Sequence, residues 1–473
     1  MKKILNNISL PAFIILFVFA GCSKDFTDKK PNDAIAISTA LSTEANLANA
    51  MNGVYSELRA VGVYGRDFPV IGDLMADNSF IETKNSNRYL TQYNYTFIAA
   101  DGVFDGIWKN CYTTIMRANQ IINADITGGN VKDIKAQAYG VRGLMFFKLV
   151  TLYARPYTDD PNSLGVPIVL TYDPYNLPTR SKVSDVYTQI ISDLKAGFAD
   201  GSAYTKSVTL SKYAIEGLLA RVYLYMGDNA NAKSAAVDVI TNGGFTLLTP
   251  SDFNNYWSDP SGRQDNLETL FEIDADVVNN NGFNDLGGIY ENGYRDIYAS
   301  SQLDSLFDST DVRNSLFIQG NTKSGASAVL VNKYPNAGND NRDNIKVMRL
   351  SEVYLIAAEA SLPANEPDAK MYVNDLVVQR DPTSAGYTSS GAALLSDIVQ
   401  ERRKELAFEG DRFFDLNRLK QTITRVQNLG SIQTGPGNVN LVVPYTDYRR
   451  IAPIPQSEIQ ANSNIASQQN PGY

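Results

Sequence analysis

The chain has 473 residues, of which 44% are hydrophobic and 20% are charged, and its formal net charge is −9. These are ordinary values for a globular protein, and the length allows one large domain or two smaller ones. Beyond the first three residues there is no block of Lys or Arg, so the sequence lacks the basic face that a nucleic-acid partner requires. The chain also contains no His, which excludes Ser–His–Asp and Cys–His catalysis and any His metal site.

The first residues have the pattern of a secreted protein. Lys2 and Lys3 precede the apolar run 10–20, which is about half of the roughly twenty residues that cross a bilayer. A short apolar run after a basic start is typical of a signal peptide. The sequence therefore predicts a signal peptide over residues 1–21.

Cys22 directly follows two small residues, an ending that is similar to a bacterial lipobox. We expect Cys22 to be lipidated and residues 22–40 to form a polar tether between the lipid and the folded part, 41–473. The alternative is an ordinary signal peptide followed by an incidental Cys. The mature protein is therefore predicted to be held at a membrane by its acyl chains.

Apolar residues recur with helical spacing along much of the chain, which predicts a mostly α protein. The predicted helices span 43–59, 104–122, 133–153, 183–198, 213–226, 230–240, 349–360, 369–378 and 397–420.

Two of these helix pairs have the composition of tetratricopeptide hairpins. Residues 213–226 end at Gly227 and Asp228, and the next helix carries Ala232, Ala235 and Ala236 on one face. Small residues allow helices to cross closely, while bulky ones fill the groove between them. The pair 349–360 and 369–378 repeats this pattern loosely.

Long segments rich in Gly, Asn, Asp and Tyr separate these helices. They span 61–102, 245–344 and 421–473, and we expect them to be functional loops braced by short strands at 269–273 and 441–444. The folded part is thus predicted to have a helical N-terminal part, 41–245, and a loop-rich C-terminal part, 246–473.

Three segments resemble the SusD/RagB outer-membrane lipoproteins. The clearest is 401–418, ERRKELAFEGDRFFDLNR, which is similar to the ERR-EL-FEG-R-DL-R pattern of that family. Residues 349–360 resemble its LR-AE-YL-AEA helix, and the PIP at 453–455 with the QNPGY at 469–473 resembles its C-terminus. Earlier pieces at 108–119, 142–153, 165–167 and 218–228 agree, so the resemblance covers essentially the whole mature chain.

The resemblance implies a fold of tetratricopeptide-like units with long ligand-binding loops and a few short strands. It implies a partner, a SusC-like TonB-dependent barrel that the lipoprotein covers, and a ligand that is an oligosaccharide or a peptide. It also implies a location at the outer membrane, with the protein lipid-anchored at the cell surface. No cofactor is expected. The expected function is therefore capture of a nutrient and its delivery to the barrel, without catalysis.

The many charges of 401–418 are predicted to be structural. Acids and arginines alternate there at spacings of three and four residues, which on helices places opposite charges within reach of each other. The same interpretation applies to Arg349, Glu352 and Glu359.

Two loops combine aromatic rings with amide and charged side chains, the mixture that sugars require, because sugar rings stack on aromatic faces and sugar hydroxyls need polar partners. The better mixture lies in 279–301 and the second in 73–95. The candidate ligand-binding residues are Asp73, Asn78, Arg88, Tyr89, Asn284, Tyr290, Asn292, Tyr294, Arg295 and Tyr298. The alternative for each tyrosine is that it packs beneath its loop.

Other functions stay open at this level. Two carboxylates could hydrolyse a glycoside, although no motif favours it. A tetratricopeptide adaptor without a small ligand is also possible. No metal site is predicted, although the oxygens of Asp159, Asp160 and Asn162 could hold a structural calcium ion.

Overall fold

The computed structural model describes residues 41–173, 175–432 and 441–473. The predicted signal peptide, Cys22 and the tether lie outside these ranges. The helices are α1 (Glu44–Leu58), α2 (Asp67–Leu74), α3 (Leu90–Asn94), α4 (Gly102–Ile122), α5 (Val131–Tyr153), α6 (Val183–Asp200), α7 (Lys212–Met226), α8 (Asn229–Asn242), α9 (Phe253–Ser258), α10 (Leu286–Tyr290), α11 (Ser301–Asp304), α12 (Leu350–Ser361), α13 (Glu366–Arg380), α14 (Gly391–Glu405), α15 (Arg412–Arg418) and α16 (Gln456–Ala461). The strands are β1 (Ser79–Ile81), β2 (Thr269–Ile273), β3 (Ile297–Ala299), β4 (Phe317–Asn321), β5 (Ser327–Val331), β6 (Ile345–Arg349), β7 (Ile423–Thr424) and β8 (Val442–Val443).

The long helices pack side by side in one row. The row runs from α1 through α4, α5, α6 and α7 to α8, and α8 then packs against α12, which is followed by α13 and α14. Residues 243–349 lie between α8 and α12 in sequence, so they leave the row as an excursion and return to it. The mostly α, tetratricopeptide-like scaffold predicted from the sequence is confirmed.

The α7–α8 hairpin shows how the sequence sets this scaffold. Gly227 ends α7 in the left-handed conformation, with φ of 73°, and its N–H donates to the carbonyl of Leu224. Asp228 then caps α8 by accepting a hydrogen bond from the N–H of Asn231. A glycine in the left-handed conformation followed by an acidic cap is what a tight helix–turn–helix connection requires.

Most predicted helices are present with ends within three residues of the prediction, but the last one needs a correction. The predicted helix 397–420 is two helices, α14 and α15, separated by a turn. In that turn Phe408 has φ of 62° and Gly410 has φ of 90°. The turn lies directly on α2, where a Cβ on Gly410 would come within 2.5 Å of Pro69 Cα. Helical periodicity does not reveal this close approach.

The prediction of loops over 61–102 and 245–344 also needs a correction, because these segments hold a sheet. The sheet has the strand order β1-β3-β5-β4, and its pairings are antiparallel. A second pair, β2 with β6, joins the excursion to the start of α12. β2 and β8 lie where strands were predicted, at 269–273 and 441–444. All residues of β1, β3 and β6 are buried, so these short strands lack the alternation that normally identifies a strand.

Two buried ion-pair networks join the motif 401–418 to the other helices. The first centres on Glu405, which pairs with Arg349 (2.7 Å), Arg380 (3.0 Å) and Arg313 (3.0 Å). Burial opposes ionisation of Glu405, but these three arginines hold its pKa well below the ordinary value. The network balances five bases with five acids: Arg313, Lys333, Arg349, Arg380 and Lys404 with Glu268, Asp311, Glu401, Glu405 and Glu409.

The second network pairs three bases with three acids: Arg221, Arg402 and Arg418 with Glu352, Glu359 and Asp415. Arg402, on α14, reaches both Glu352 on α12 (2.9 Å) and Asp415 on α15 (2.8 Å). The charges of 401–418 therefore hold helices together, as predicted.

We predict that Glu405→Gln lowers the free energy of unfolding by about 3–5 kcal/mol, because it leaves three buried guanidinium groups without their shared carboxylate. Urea unfolding of the full-length protein measures the loss. Glu366→Gln is the control, since Glu366 pairs with Lys370 at the surface of α13 and its replacement should leave the unfolding curve unchanged. Equal curves for the two variants would contradict a structural role for the network.

Candidate functional site

The structure brings the two predicted ligand-binding loops together through one strand pairing. β1 pairs with β3, with Ser79 opposite Ala299 and Ile81 opposite Ile297. Just beyond this pairing, the N–H of Glu82 donates to the carbonyl of Asp296 at 3.1 Å. The segment 82–89 after β1, here called loop A, and the segment 279–296 before β3, here called loop B, therefore lie side by side at one end of the sheet.

A buried carboxylate joins the loops from below. Asp296 of loop B accepts hydrogen bonds from the N–H of Ser86 (3.2 Å) and from the Ser86 hydroxyl in loop A. Lys323, in the turn between β4 and β5, donates to the Asp296 carboxylate at 2.8 Å and to the carbonyl of Tyr294. In that turn the N–H of Ser324 also donates to Glu82 at 3.1 Å. Three segments are thus fixed to one another, and Lys323 is a residue that the sequence analysis missed.

Above this junction, Arg88 of loop A stacks on Tyr294 of loop B. Its guanidinium carbon lies 3.4 Å from the centroid of the Tyr294 ring, and Nη1 donates to the hydroxyl of Ser86 at 2.8 Å. Both side chains remain half-buried. The contact fixes the ring of Tyr294 at the surface, with a cation covering one of its faces.

Phe283 adds an exposed aromatic ring to the same surface. Its side chain is 51% exposed, and the guanidinium carbon of Arg342 lies 5.2 Å from its ring centroid. The ring lies against Gly293, where a Cβ would come within 3.0 Å of Phe283 Cδ1. The sequence analysis missed Phe283 because a single aromatic residue in an Asn- and Gly-rich run carries no periodic signal.

Polar groups border these rings. Asn292 is exposed next to Gly338, and Asn284 is exposed and accepts a hydrogen bond from Arg66 Nη1 at 3.2 Å. Arg295 is half-buried and donates to the carbonyl of Asn321 at 3.1 Å. We call the surface of Arg88, Phe283, Asn284, Asn292, Tyr294 and Arg295 the loop face. It combines aromatic and amide groups, as sugar recognition requires.

The other five predicted site residues are buried, so in this structure a ligand on the surface does not reach them. They are Asp73, Asn78, Tyr89, Tyr290 and Tyr298, with exposures between 0% and 5%. Tyr290 packs against Phe408, with ring centroids 5.0 Å apart, and the hydroxyl of Tyr89 donates to Asp67. The burial of the three tyrosines agrees with the alternative considered from the sequence, that a tyrosine packs beneath its loop.

Trp257, a further aromatic residue of 245–344, and the possible calcium ligands Asp159, Asp160 and Asn162 were also considered. All have partners within the protein. Trp257 is buried, with the Lys333 ammonium 4.4 Å from its ring. Asp160 accepts the N–H of Asn162, and Asp159 pairs with Lys420 at 3.3 Å. Within 41–173, 175–432 and 441–473, no group of three or more His, Cys, Asp or Glu residues is placed to hold a metal ion.

The larger concave features are lined by residues outside the loop face. A groove of about 580 Å³ lies at the end of α4, lined by residues that include Asn119, Gln120 and Tyr172. In loop B, Asn281 and Asp285 line a cavity of about 10 Å³. We assign the site by its aromatic and amide chemistry rather than by volume, because sugar rings stack on aromatic faces and sugar hydroxyls need polar partners.

Asp73 connects the loop region to the turn between α14 and α15. It accepts hydrogen bonds from Asn78 Nδ2 (2.7 Å) and from the N–H of Gly410 (2.8 Å). Burial raises its pKa to about 7, although these hydrogen bonds favour the ionised form.

We predict a pH dependence of stability from this group. Between about pH 4 and 7 the folded state retains a proton on Asp73, whereas the unfolded state has released it. The contribution of Asp73 to the free energy of unfolding therefore falls as the pH rises through that window. Relative to Asp73→Asn, the wild-type protein should lose up to about 4 kcal/mol between pH 4.5 and 8, at ~1.4 kcal/mol per pKa unit. Urea unfolding at both pH values measures this difference, and a difference that does not change with pH would contradict the raised pKa.

No helix in the described ranges is both long enough and apolar enough to cross a membrane.

Two family descriptions match consecutive parts of the chain. Residues 25–224 match the family described as starch-binding associating with outer membrane, and residues 275–473 match the SusD family. A SusD-like protein of Formosa agariphila, named P2, is 30% identical across 99% of this chain and 100% of its own length.

Solved structures have the same fold. A SusD superfamily protein of Bacteroides thetaiotaomicron is 32% identical with a TM-score of 0.82, covering 90% of this chain and 99% of its own. A Bacteroides vulgatus protein, described as sugar-binding, is 29% identical with a TM-score of 0.82, covering 92% of this chain and 99% of its own. Together with the tetratricopeptide-like row, these matches establish that the chain belongs to the SusD/RagB family.

Proposed function

We propose that this protein captures oligosaccharides on the loop face and does not change them chemically. The observation that carries the proposal is the pair of fixed aromatic rings, Phe283 and Tyr294, in a setting of amide and guanidinium groups. Sugar rings offer apolar faces to such rings, and their hydroxyls find donors and acceptors in Asn284, Asn292 and Arg295. The similar Bacteroides vulgatus protein described as sugar-binding supports a glycan as the ligand class.

The carboxylates below the loop face favour binding over hydrolysis. A glycosidase needs two carboxylates about 5–9.5 Å apart that face the substrate. Asp296 is buried and occupied by Ser86 and Lys323, and Glu82 is buried and occupied by the N–H groups of Lys323 and Ser324. Both acids thus serve to join the loops, and this role accounts for their positions without chemistry.

We also infer that the protein is anchored at the outer membrane through Cys22 and delivers its ligand to a SusC-like TonB-dependent barrel. The lipobox-like sequence at Ala20, Gly21 and Cys22 supports the anchor. The family description, starch-binding associating with outer membrane, supports the location.

We predict that Phe283→Ala and Tyr294→Ala each weaken glycan binding about five- to tenfold, which corresponds to about 1 kcal/mol for one lost aromatic contact. Calorimetric titration of the full-length protein in detergent with a panel of oligosaccharides and peptides measures the affinity. Tyr175→Ala is the matched control, because Tyr175 is 91% exposed and lies outside the loop face.

The same titration tests the alternatives. Saturable heat from one glycan class, without new reducing ends, is the expected result. Heat from peptides alone would transfer the role to peptide capture, and new reducing ends would indicate a glycosidase. If Tyr175→Ala weakened binding while the two loop-face variants did not, the glycan would bind elsewhere.

We predict that Cys22→Ala moves the protein from the membrane fraction to the soluble fraction of the producing cells, because the acyl chains would be missing. Fractionation and labelling with a palmitate analogue measure this. A variant that is still labelled and still sediments with membranes would show that Cys22 is not the anchor.

A further inference from the structure

A pocket outside the loop face lies between α14 and the end of α15. Its volume is about 270 Å³, below the roughly 300–1,000 Å³ of sites that enclose drug-sized ligands, so it suits a small group. Arg403 and Arg412 line its buried part, while Ser396, Gln400 and Gln421 line its exposed part. None of its described lining residues is Asp or Glu.

The two arginines share one carboxylate. Arg412 donates to Asp77 through Nε (2.8 Å) and Nη2 (3.0 Å), and Nη1 of Arg403 lies 3.4 Å from the same carboxylate. The other donors of Arg403 bind uncharged oxygens, Asn78 Oδ1 (2.8 Å) and the carbonyl of Asp77 (3.0 Å). Two buried or nearly buried cations therefore face one anion, unlike the balanced networks around Glu405 and Arg402.

The pocket lining thus carries two cations, and the one carboxylate that pairs directly with both of them is that of Asp77. Burial lowers the pKa of Arg403 to about 10, and Arg412 acts in the same direction, while Asp77 and Asp73 oppose it. Among the described residues, Nη1 of Arg403 has only the 3.4 Å ion pair with Asp77, and Arg412 pairs with Asp77 through Nε and Nη2, which leaves its Nη1 for another acceptor. Guanidinium N–H groups that are not fully paired within the protein are common partners of oxyanions.

We propose that this pocket binds a compact oxyanion, a carboxylate, sulfate or phosphate group, between Arg403 and Arg412. Ser396, Gln400 and Gln421 supply neutral hydrogen-bond donors at the mouth. The site is separate from the loop face and does not depend on glycan binding there. It adds recognition of an acidic group to a protein whose loop face is suited to neutral rings.

Calorimetric titration of the full-length protein in a chloride buffer of fixed ionic strength tests this. The probes are glucuronate, inorganic sulfate and inorganic phosphate, and glucose is the neutral match of glucuronate. We expect saturable binding of at least one anion and none of glucose, and the anion that binds best identifies the source of the oxyanion. Silence from all three anions, or equal heat from glucose and glucuronate, would overturn the proposal.

Gln400→Glu places a negative charge at the exposed mouth without touching the buried ion pairs, so the variant should fold. We expect it to weaken anion binding at least about tenfold through charge repulsion. Gln460→Glu, on the exposed side of α16, makes the same charge change outside the pocket and should bind as the wild-type protein does. Phe283→Ala should also leave anion binding unchanged. Unaltered affinity in Gln400→Glu would place any anion elsewhere.

Discussion

The buried charge network around Glu405 is the constraint on which the rest of the structure depends. Glu405 ends α14, and its partners Arg349 and Arg380 come from the start of α12 and the end of α13. Arg313 belongs to the excursion that carries the sheet. Desolvating these charges is costly unless each one is paired, so the network is stable only when the helix row and the excursion are assembled together.

The same segment also sets the position of the loop face. Beyond Glu405, the turn that contains Gly410 binds Asp73, and Arg403 binds Asn78 at the start of β1. β1 in turn pairs with β3, and this pairing places loop A next to loop B. The motif 401–418 contributes no residue to the loop face, and it thereby positions that face from a distance through β1 and β3. Arg403 and Arg412 take part in this positioning through Asp77 and Asn78. Because they share one carboxylate, they are also the residues of the proposed anion-binding pocket.

The sequence predicted the helix row and the structural role of the charges well, because helical periodicity and acid–arginine spacing are local signals. It predicted the strand at 269–273 but not the four-stranded sheet, since β1 and β3 have only three residues each and are buried throughout, so they show no alternation. It also chose buried tyrosines, Tyr290 and Tyr298, as ligand partners, because composition does not tell a ring beneath a loop from a ring upon it. Phe283 is exposed but was missed, because it is a single aromatic residue in a run of Asn and Gly.

Hydrogen–deuterium exchange of the full-length protein, with and without the oligosaccharide that gives saturable heat, tests the central claim most directly. If the loop face is the binding surface, added glycan should slow exchange in residues 82–88 and 281–296 and leave the helix row unchanged. Protection confined to residues 119–126, beside the groove of about 580 Å³ at the end of α4, would contradict the account and move the site to the helical scaffold.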